Sequence, residues 1–380
     1  MGYLLSIVVP TKDRYPYLKH LIQLIKSFNS EDIELIIQDN TYDNTELLNY
    51  LDTLNYPHLK YYHTKNQISV SENSTKAILN SSGEYVCFIG DDDGVTRHIV
   101  ECVKWMKSNS VGIVKSGHVV YKWPSFPNGR MRLASTVSFE RFNGHYRTID
   151  TKTSLIKMLR KGMPGLHDMP KVYNGIVKRS LLDSVYKKTG TFFPGSSPDM
   201  GNAVALCFVT NSYTYIDFPI IIGGICGSGG GNIMKEKNGY KELKDAPFLP
   251  EGIENRWYQS LPKVWTNETI WPQSAIEGLK SVGGEDYMRY IDDSLLQAII
   301  IMNHPNLKEK TMALSKNKGK VSFLVLIKKL IKKLNNAKNL ALYHLCDRFN
   351  GNMKIYRNIA TIEEAEELLY NKYPQFSIEA

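Results

Sequence analysis

The stretch YVCFIGDDDG, Tyr85 to Gly94, joins an apolar segment to three consecutive carboxylates. Its first six residues predict a short buried strand, because they are apolar and rich in β-branched and aromatic types. Asp91, Asp92 and Asp93 follow without a basic neighbour. Such a cluster at the end of a core strand needs a reason, since a buried carboxylate is costly unless it is paired or binds a cation.

Strand and helix patterns alternate around this stretch through the first 120 residues. The predicted strands are LLSIVVP (4–10), IELIIQDN (33–40), LKYYHT (59–64), GEYVCFIGDDD (83–93) and VGIVKSGHVVY (111–121). The predicted helices are YLKHLIQLIKSF (17–28), DNTELLNYLDTL (43–54), VSENSTKAILNS (70–81) and TRHIVECVKWMKS (96–108). This βαβα order predicts an α/β fold with a Rossmann-like, mainly parallel central sheet and helices on both faces.

Polar residues stand at the ends of three of these strands. Thr11 to Arg14 follow the first strand, Asp39 and Asn40 end the second, and the aspartate triplet ends the fourth. In such sheets, ligands bind outside the carboxyl ends of the strands. We therefore expect these groups to converge on one crevice.

A chain of 380 residues is too long for one simple core and suggests two domains. We place the first at 1–225, with a regular part at 1–120 and a less regular part at 121–225. In the less regular part, YNGIVKRSLLDSVY (173–186) is predicted to form a strand and then a helix, and GSSPDMGNAVALCFV (195–209) a loop and then a helix. The segment YTYIDFPIIIGGICGSGGGN (213–232) is predicted to form a strand followed by a glycine-rich loop. The remaining 226–380 is predicted to be mainly helical.

The formal net charge of +9 is concentrated in one segment. Residues 310–345 hold nine lysines and no arginine, aspartate or glutamate, and the other 38 basic residues match the 38 acidic ones. We do not expect nucleic-acid binding, because such proteins carry their charge on the recognition fold, often as arginine. A basic amphipathic helix predicted at about 320–346 either lies on an anionic membrane or packs on the protein's own core.

The five cysteines are odd in number and include no CxxC pair, which is typical of reduced thiols in the cytoplasm. The N-terminal MGYLLSIVVPTKDR lacks the basic start of a signal peptide, and no apolar run reaches the roughly 18 residues of a membrane span. We expect a cytoplasmic protein with peripheral contact at the inner face of the cell membrane.

The aspartate triplet has the chemistry of a metal site. Alternation along a strand points Asp91 and Asp93 to one side and Asp92 to the other. Two carboxylates so spaced can hold one Mg2+ or Mn2+, and the cation stabilises a departing diphosphate. The alternative is a solvated acidic loop that caps the helix beginning near Arg97.

The N-terminal half resembles the family 2 glycosyltransferases of bacterial surface-glycan assembly, which have a GT-A fold. The resemblance rests on SIVVPTKDR, IELIIQDN, NSTKAILNSSGEYVCFIGDDD and YNGIVKRSLL, within residues 4–210. It implies that 1–120 binds a nucleotide-sugar, of the UDP-sugar class, and that 121–225 faces the acceptor. It also implies that the triplet is a DXD motif for Mn2+ or Mg2+, with Asp91 and Asp93 at the metal and Asp93 as the direct ligand.

The resemblance assigns donor binding to Pro10, Thr11, Arg14, Asp39, Asn40, Asn73, Asp91 and Asp92. Chemistry agrees at two of these positions, because Asp39 can accept a hydrogen bond from a base N–H and Arg14 can pair with phosphate. The alternatives are a simple turn at Asp39 and Asn40 and a helix cap at Thr11. Glu72 stands where many members have arginine, which is a departure from the family pattern.

An inverting transfer needs a base that takes the proton of the acceptor hydroxyl. The family supplies an acidic residue at a helix start well after the triplet, and Asp199 in SSPDMGNA fits that position. The helix dipole there favours the ionised carboxylate, although Asp199 could serve only to stabilise the helix. Asp183 and Asp168 are weaker candidates, and His167 beside the latter is expected to be structural.

Two further segments leave alternatives open. The glycine-rich segment 223–232 is a phosphate cradle, a mobile lid or a linker between domains. The segment RWYQSLPKVWTNETIWPQ contains Trp257, Trp265 and Trp271, which stack on a sugar or, as we favour, pack in a core.

We predict a metal-dependent, inverting glycosyltransferase that moves a hexosyl or N-acetylhexosaminyl group from a nucleotide-sugar to a glycan or lipid-linked glycan. The alternative is a catalytically inactive glycan-binding protein with the same fold, which the Glu72 departure motivates. A metal-dependent nucleotidyltransferase ranks lower, because no glycine-rich, basic triphosphate loop occurs near the N-terminus.

Overall fold

The computed structural model describes residues 2–127, 133–166, 168–228, 240–246, 249–345 and 353–379. The strands are β1 (Leu5–Thr11), β2 (Ile33–Asp39), β3 (Leu59–His63), β4 (Tyr85–Phe88), β5 (Gly94–Val95), β6 (Ile113–Ser116), β7 (Val119–Lys122), β8 (Thr136–Glu140), β9 (Tyr146–Asp150), β10 (Ile176–Lys178), β11 (Ser212–Ile216), β12 (Ile221–Ile225), β13 (Lys241–Glu242), β14 (Val264–Trp265) and β15 (Met353–Arg357). The α-helices are α1 (Tyr15–Ser27), α2 (Thr45–Asp52), α3 (Val70–Leu79), α4 (Ile99–Ser108), α5 (Thr151–Arg160), α6 (Arg179–Thr189), α7 (Pro198–Leu206), α8 (Asn267–Ser281), α9 (Asp293–Asn303), α10 (Lys308–Ala313), α11 (Lys318–Leu345) and α12 (Ile362–Lys372). His167 and residues 229–232 of the glycine-rich segment lie outside the described residues.

The largest sheet has the strand order β3-β2-β1-β4-β10-β6-β11-β9. β1 is parallel to β2 and β4, β2 is parallel to β3, and β6 is parallel to β11. β10 runs antiparallel between β4 and β6, and β9 is the antiparallel edge. The register pairs Thr11 with Asp39, so two of the predicted polar strand ends are neighbours.

Helices cover both faces of this sheet. Consecutive residues of β1 point to opposite faces, so they pack against different helices. Ile7 belongs to the apolar cluster with α1 and α4, whereas Val8 belongs to the cluster with α3, α6 and α7. Both side chains are fully buried. The predicted α/β fold class is confirmed.

A second sheet, with the order β15-β8-β7-β12-β5, lies beside the first. The predictions of one strand over 111–121 and of one strand after Tyr213 are wrong, because each segment forms two strands in different sheets. The first break comes at Gly117, where a Cβ atom would lie 2.4 Å from the Phe142 ring. The chain therefore changes sheet where only a glycine fits against that ring.

The C-terminal region is mainly helical, as expected, and it shares one hydrophobic core with α5 and α7. Trp257 and Trp265 are buried in this core and Trp271 packs against it, so the interpretation of these tryptophans as core residues is confirmed. Within the described residues, no helix is long and apolar enough to cross a membrane.

The last described segment returns to the N-terminal half of the chain. β15 pairs with β8, and Ile362 at the start of α12 is buried in a cluster with Leu24 of α1. The buried Glu366 accepts two hydrogen bonds from the Arg97 guanidinium, at 2.9 and 2.6 Å. The division at residue 225 stays a prediction, and residues 353–379 pack with elements from before it.

Candidate active site

The aspartate triplet lies in a turn at the carboxyl end of β4. β4 ends at Phe88, and the Asp93 N–H donates to the Gly90 carbonyl oxygen at 3.3 Å. The predicted strand alternation of the three side chains is therefore wrong, because the strand has already ended. Asp91, Asp92 and Asp93 are only 2%, 7% and 2% exposed, which also excludes the solvated acidic loop.

One arginine bridges two of the three carboxylates. Arg14 Nε lies 3.1 Å from Asp91 Oδ1, and Arg14 Nη2 lies 2.7 Å from Asp92 Oδ2. The Thr11 hydroxyl donates to Asp91 Oδ2 at 2.7 Å, so it does not act as a helix cap. We call Arg14 with Asp91, Asp92 and Asp93 the acidic crevice.

Backbone groups hold the third carboxylate of the acidic crevice. Asp93 accepts hydrogen bonds from the N–H of Gly90 at 2.8 Å and from the N–H of Gly224 at 2.7 Å. A Cβ atom at Gly224 would lie 1.6 Å from the Asp92 carbonyl oxygen. The start of the glycine-rich segment is therefore part of β12 and packs directly against the triplet.

The acidic crevice holds more negative than positive charge. Burial, together with the neighbouring Asp92, raises the pKa of Asp91 and of Asp93 to about 7, although Arg14 opposes the rise at both. Asp91 Oδ1 lies 3.1 Å from Arg14 Nε but accepts no hydrogen bond among the described residues. These oxygen ligands suit a hard divalent cation such as Mg2+ or Mn2+. Among the described residues, no three His, Cys, Asp or Glu side chains are grouped to hold a metal, so the fit is to fewer protein carboxylates.

Asp199 lies in the first turn of α7 and is half-buried. Its Oδ1 accepts hydrogen bonds from the Ser197 hydroxyl and from the Met200 N–H. The weaker candidates lie elsewhere, since Asp183 is exposed on α6 and Asp168 pairs with a lysine ammonium at 2.8 Å.

Two residues without a predicted role, Lys171 and Tyr173, lie close enough to both Asp199 and the acidic crevice for the charges of those carboxylates to affect them. The Tyr173 hydroxyl and carboxylate oxygens of Asp92 and Asp93 all lie within 3.2 Å of the place where a Cβ atom of Gly90 would be. The carboxylates of Asp93, Asp92 and Asp199, together with burial, raise the pKa of Tyr173 well above its usual value.

Lys171 faces the same two groups. Burial lowers the pKa of Lys171, and the carboxylates of Asp199 and Asp93 oppose that shift. The connection also has a structural link, because the Val172 N–H donates to Asn202 Oδ1 of α7 at 3.1 Å. The sequence offered one signal here, the YNGIVKRSLL segment, which begins at Tyr173 and excludes Lys171, and its spacing assigns no role to the Tyr173 side chain.

Asp39 lies at the end of β2 beside the acidic crevice and is fully buried. Its carboxylate accepts hydrogen bonds from the hydroxyls of Tyr15 at 2.7 Å and Tyr61 at 2.9 Å, and from the Thr41 N–H at 2.8 Å. Burial is the main cause that raises the pKa of both tyrosines. These phenols therefore stay protonated as donors.

The other residues predicted to bind the donor differ in how many hydrogen bonds their side chains already make. The Asn40 side chain ties down the loop after β3, because it donates to the carbonyl oxygens of Thr64 at 2.7 Å and Asn66 at 2.8 Å. Asn73 donates to the Gln38 carbonyl oxygen at 3.4 Å, but no donor among the described residues reaches its buried Oδ1. Pro10 lies within β1, and Glu72 is exposed on α3.

Comparison with known proteins gives one family. The family model described as "Glycosyl transferase family 2" matches residues 6–173, which confirms the resemblance found in the sequence. No curated protein matches the chain.

Solved structures of glycosyltransferases are similar at low identity. TarS 1-349 from S. aureus in complex with UDP-GlcNAc is 12% identical, with a TM-score of 0.45, and the match covers 86% of this chain and 91% of that one. A longer TarS structure is 13% identical, with a TM-score of 0.42, and the match covers 82% of this chain but only 55% of that one. The mannosyltransferase PcManGT from Pyrobaculum calidifontis, in complex with GDP-Man and Mn2+, has a TM-score of 0.39 at 14% identity, over 92% of this chain and 88% of that one.

Proposed function

We propose that the protein moves a hexosyl or N-acetylhexosaminyl group from a UDP-sugar to a glycan or lipid-linked glycan, with inversion at the anomeric carbon. The match of residues 6–173 to the glycosyltransferase family 2 model supports this proposal. The observation that carries the proposal is the acidic crevice within the matched region. It is buried at the carboxyl ends of the sheet strands, and the charges of Asp93 and Asp199 both act on Lys171 and Tyr173.

Asp91 and Asp93 are the residues that we propose to hold Mn2+ or Mg2+. A bound cation of this kind stabilises the negative charge of a departing diphosphate. The fit rests on carboxylate oxygens in a buried, electronegative place and on Asp91 Oδ1, which is ion-paired with Arg14 but accepts no hydrogen bond among the described residues. Arg14 pairs with Asp91 and Asp92 here, and we propose that it exchanges these carboxylates for a donor phosphate.

The nucleoside side of the donor is proposed to lie along the ends of β1 and β2. Thr11, Asp39 and Asn40 form this edge, and Asp39 is proposed to accept a hydrogen bond from the base. Its carboxylate already accepts from Tyr15 and Tyr61, so a base must add to these bonds or replace one of them. Asn73 Oδ1 is a further free acceptor on the helix beside this edge.

Asp199 is the proposed base. Both of its hydrogen bonds go to Oδ1, which leaves Oδ2 to accept the proton of the acceptor hydroxyl. As that proton moves to Oδ2, the hydroxyl oxygen bonds to the anomeric carbon and the bond from that carbon to the diphosphate breaks. The position in the first turn of α7 favours the ionised carboxylate that this step requires.

We also propose the setting in which this reaction occurs. The enzyme would act in bacterial surface-polysaccharide assembly, in the cytoplasm, with peripheral contact at the membrane through residues 320–346. The lysines of that segment support membrane contact.

The test is hydrolysis of a panel of nucleotide-sugars with Mn2+, comparing the native chain with Asp93→Ala, Asp199→Asn and the control Asp183→Asn. We expect UDP release from one donor, its loss in Asp93→Ala, and native behaviour in the control, whose side chain is exposed on α6. The rate of transfer to an acceptor should be at least about 100-fold lower in Asp199→Asn, because the base is removed. Donor binding should be the same in this variant as in the native chain.

If no donor turns over and nucleotide binding is equal in EDTA and Mn2+, the metal role of the triplet is wrong. The glycan-binding alternative would then be preferred, with glycan arrays as its direct measurement.

A further inference from the structure

Helix α11 is much longer than the helix it packs on. Its 28 residues span about 42 Å, whereas the 11 residues of α9 span about 16 Å. The contact with α9 uses one face near the start of α11, where Val321 is fully buried against Ala298 and Ile301. α9 can therefore cover less than half of α11.

The opposite face of α11 is apolar and exposed. At 100° per residue, Phe323, Leu326, Leu330, Ile331 and Leu334 form one stripe, which we call the outer stripe. Their exposed fractions are 61%, 56%, 52%, 50% and 69%. The sequence left open that this face packs on the protein's own core. The described side chains of the outer stripe do not pack there, because each is at least half exposed.

The lysines of α11 favour an anionic surface as the partner of the outer stripe. Lys328, Lys329 and Lys332 lie across the helix from the stripe, and residues 310–345 contain nine lysines and no acidic residue. A second copy packed stripe to stripe would cover the apolar side chains but would leave these lysines on the two outer faces, with no opposite charge to complement them. An anionic lipid surface instead supplies both an apolar layer for the stripe and negative headgroups for the lysines.

We propose that the outer stripe of α11 docks the protein on an anionic bilayer, with the helix lying in the interface and its lysines at the headgroups. This goes further than the expected peripheral contact, because it names the contact face and its orientation relative to α9. It rests on the proposed function only for its purpose, which is to hold the enzyme where a lipid-linked acceptor is found.

The test is co-sedimentation of the full chain with vesicles of phosphatidylcholine, alone or with about one quarter phosphatidylglycerol. The combined variant Leu326→Gln, Leu330→Gln and Leu334→Gln should weaken binding to anionic vesicles at least about tenfold. The combined variant Lys328→Gln, Lys329→Gln and Lys332→Gln should weaken it about fivefold for each lysine.

The matched control is Leu48→Gln with Leu79→Gln, which changes two leucines that are 42% and 53% exposed on α2 and α3. This control should bind as the native chain does, and all three variants should keep native melting temperatures. Raising the salt to about 0.5 M should weaken native binding, because headgroup attraction is screened.

Three outcomes would overturn the proposal: equal binding to neutral and anionic vesicles, no vesicle binding at all, or a dimer in sedimentation velocity that only the leucine variant abolishes. Donor hydrolysis in vesicle-free solution separates this test from that of the proposed function. Both α11 variants should hydrolyse the donor at the native rate, and a native chain that hydrolyses none leaves the vesicle result valid.

Discussion

The acidic crevice and helix α11 each contain an excess of charge of one sign, negative in the crevice and positive on the helix, but the surroundings of the charges differ. In the acidic crevice, carboxylates that are at most 7% exposed share one arginine and fixed backbone N–H groups. On α11, lysines such as Lys329 and Lys332 stand exposed among other lysines. One region is buried and structured around its charge, and the other presents its charge to the surroundings.

The two regions therefore differ in how much their charge costs the stability of the fold. Unmatched charge in a buried site destabilises the protein unless a ligand or a proton compensates it, whereas exposed charge is solvated and costs little. Substitutions in the acidic crevice should therefore change stability and ligand binding together. Substitutions on α11 should change binding at the surface and leave the stability of the fold almost unchanged.

The largest effect should come from Gly224→Ala, which closes the space between β12 and the triplet. Its new Cβ atom would lie 1.6 Å from the Asp92 carbonyl oxygen, so the backbone must move. We expect a loss of about 3 kcal/mol or more in the free energy of unfolding, together with loss of donor hydrolysis. Gly223→Ala is the control in the same strand, since its nearest neighbour is an ordinary 3.4 Å away. Chemical denaturation that shows equal stability for both variants would contradict this account of the crevice wall.

Arg14→Gln should have the next largest effect. It removes the only cation paired with Asp91 and Asp92 in the described structure, and an unpaired buried carboxylate costs about 3 kcal/mol of folding stability. The loss should be smaller at pH 5.5 than at pH 8, because the carboxylates can then be neutralised by protons. Lys104→Gln is the control: it breaks an exposed pair with Asp32 and should cost less than about 1 kcal/mol. Similar urea midpoints for the two variants at pH 8 would show that the crevice charge is not costly.

Protons and a divalent cation should compete for the acidic crevice. Burial raises the pKa of Asp91 and Asp93 to about 7, so at pH 8 both are free to bind Mn2+, whereas at pH 6 each must first release a proton. Affinity for Mn2+ should fall about tenfold from pH 8 to pH 6 for each carboxylate that must release a proton. The measurement is calorimetric titration with Mn2+, and the rise in melting temperature on adding Mn2+ should follow the same order.

The same shifts predict how the cation-free protein responds to pH. Between the ordinary aspartate pKa and about 7, the folded protein holds protons that the unfolded chain has released, so stability falls as the pH rises. Asp93→Ala should flatten this trend and abolish the Mn2+ response. A native chain with equal Mn2+ affinity at both pH values would exclude these two carboxylates as its ligands.

Much of the sheet could be predicted because local patterns determine it. The apolar runs of β1, β2 and β4 and the amphipathic helices between them are signals within single segments, and so is the position of Asp199 at a helix start. Strand pairing is not such a signal. The apolar run 111–121 serves two sheets, and the break depends on Phe142, which is distant in sequence.

The acidic crevice shows the same limit. Its members are visible as polar strand ends, but their partners are decided by the turn after Phe88 and by β12. The bridging position of Arg14, the contact of Gly224 with Asp93 and the approach of Tyr173 all join residues far apart in the chain. No spacing rule within one segment could have indicated them.

The smallest effect should come from Lys332→Gln, which removes one exposed charge from α11. Lys332 lies one helical turn after Lys328, and like charges at this spacing destabilise a helix by about 0.2–0.5 kcal/mol. Removing one charge should therefore leave the free energy of unfolding unchanged or raise it by that amount, in contrast to the loss in Arg14→Gln. Urea denaturation at low salt measures this difference, and about 0.5 M salt should remove it. A loss above about 1 kcal/mol would mean that Lys332 has a partner in the fold, and that the charge of α11 stabilises the protein as Arg14 does in the crevice.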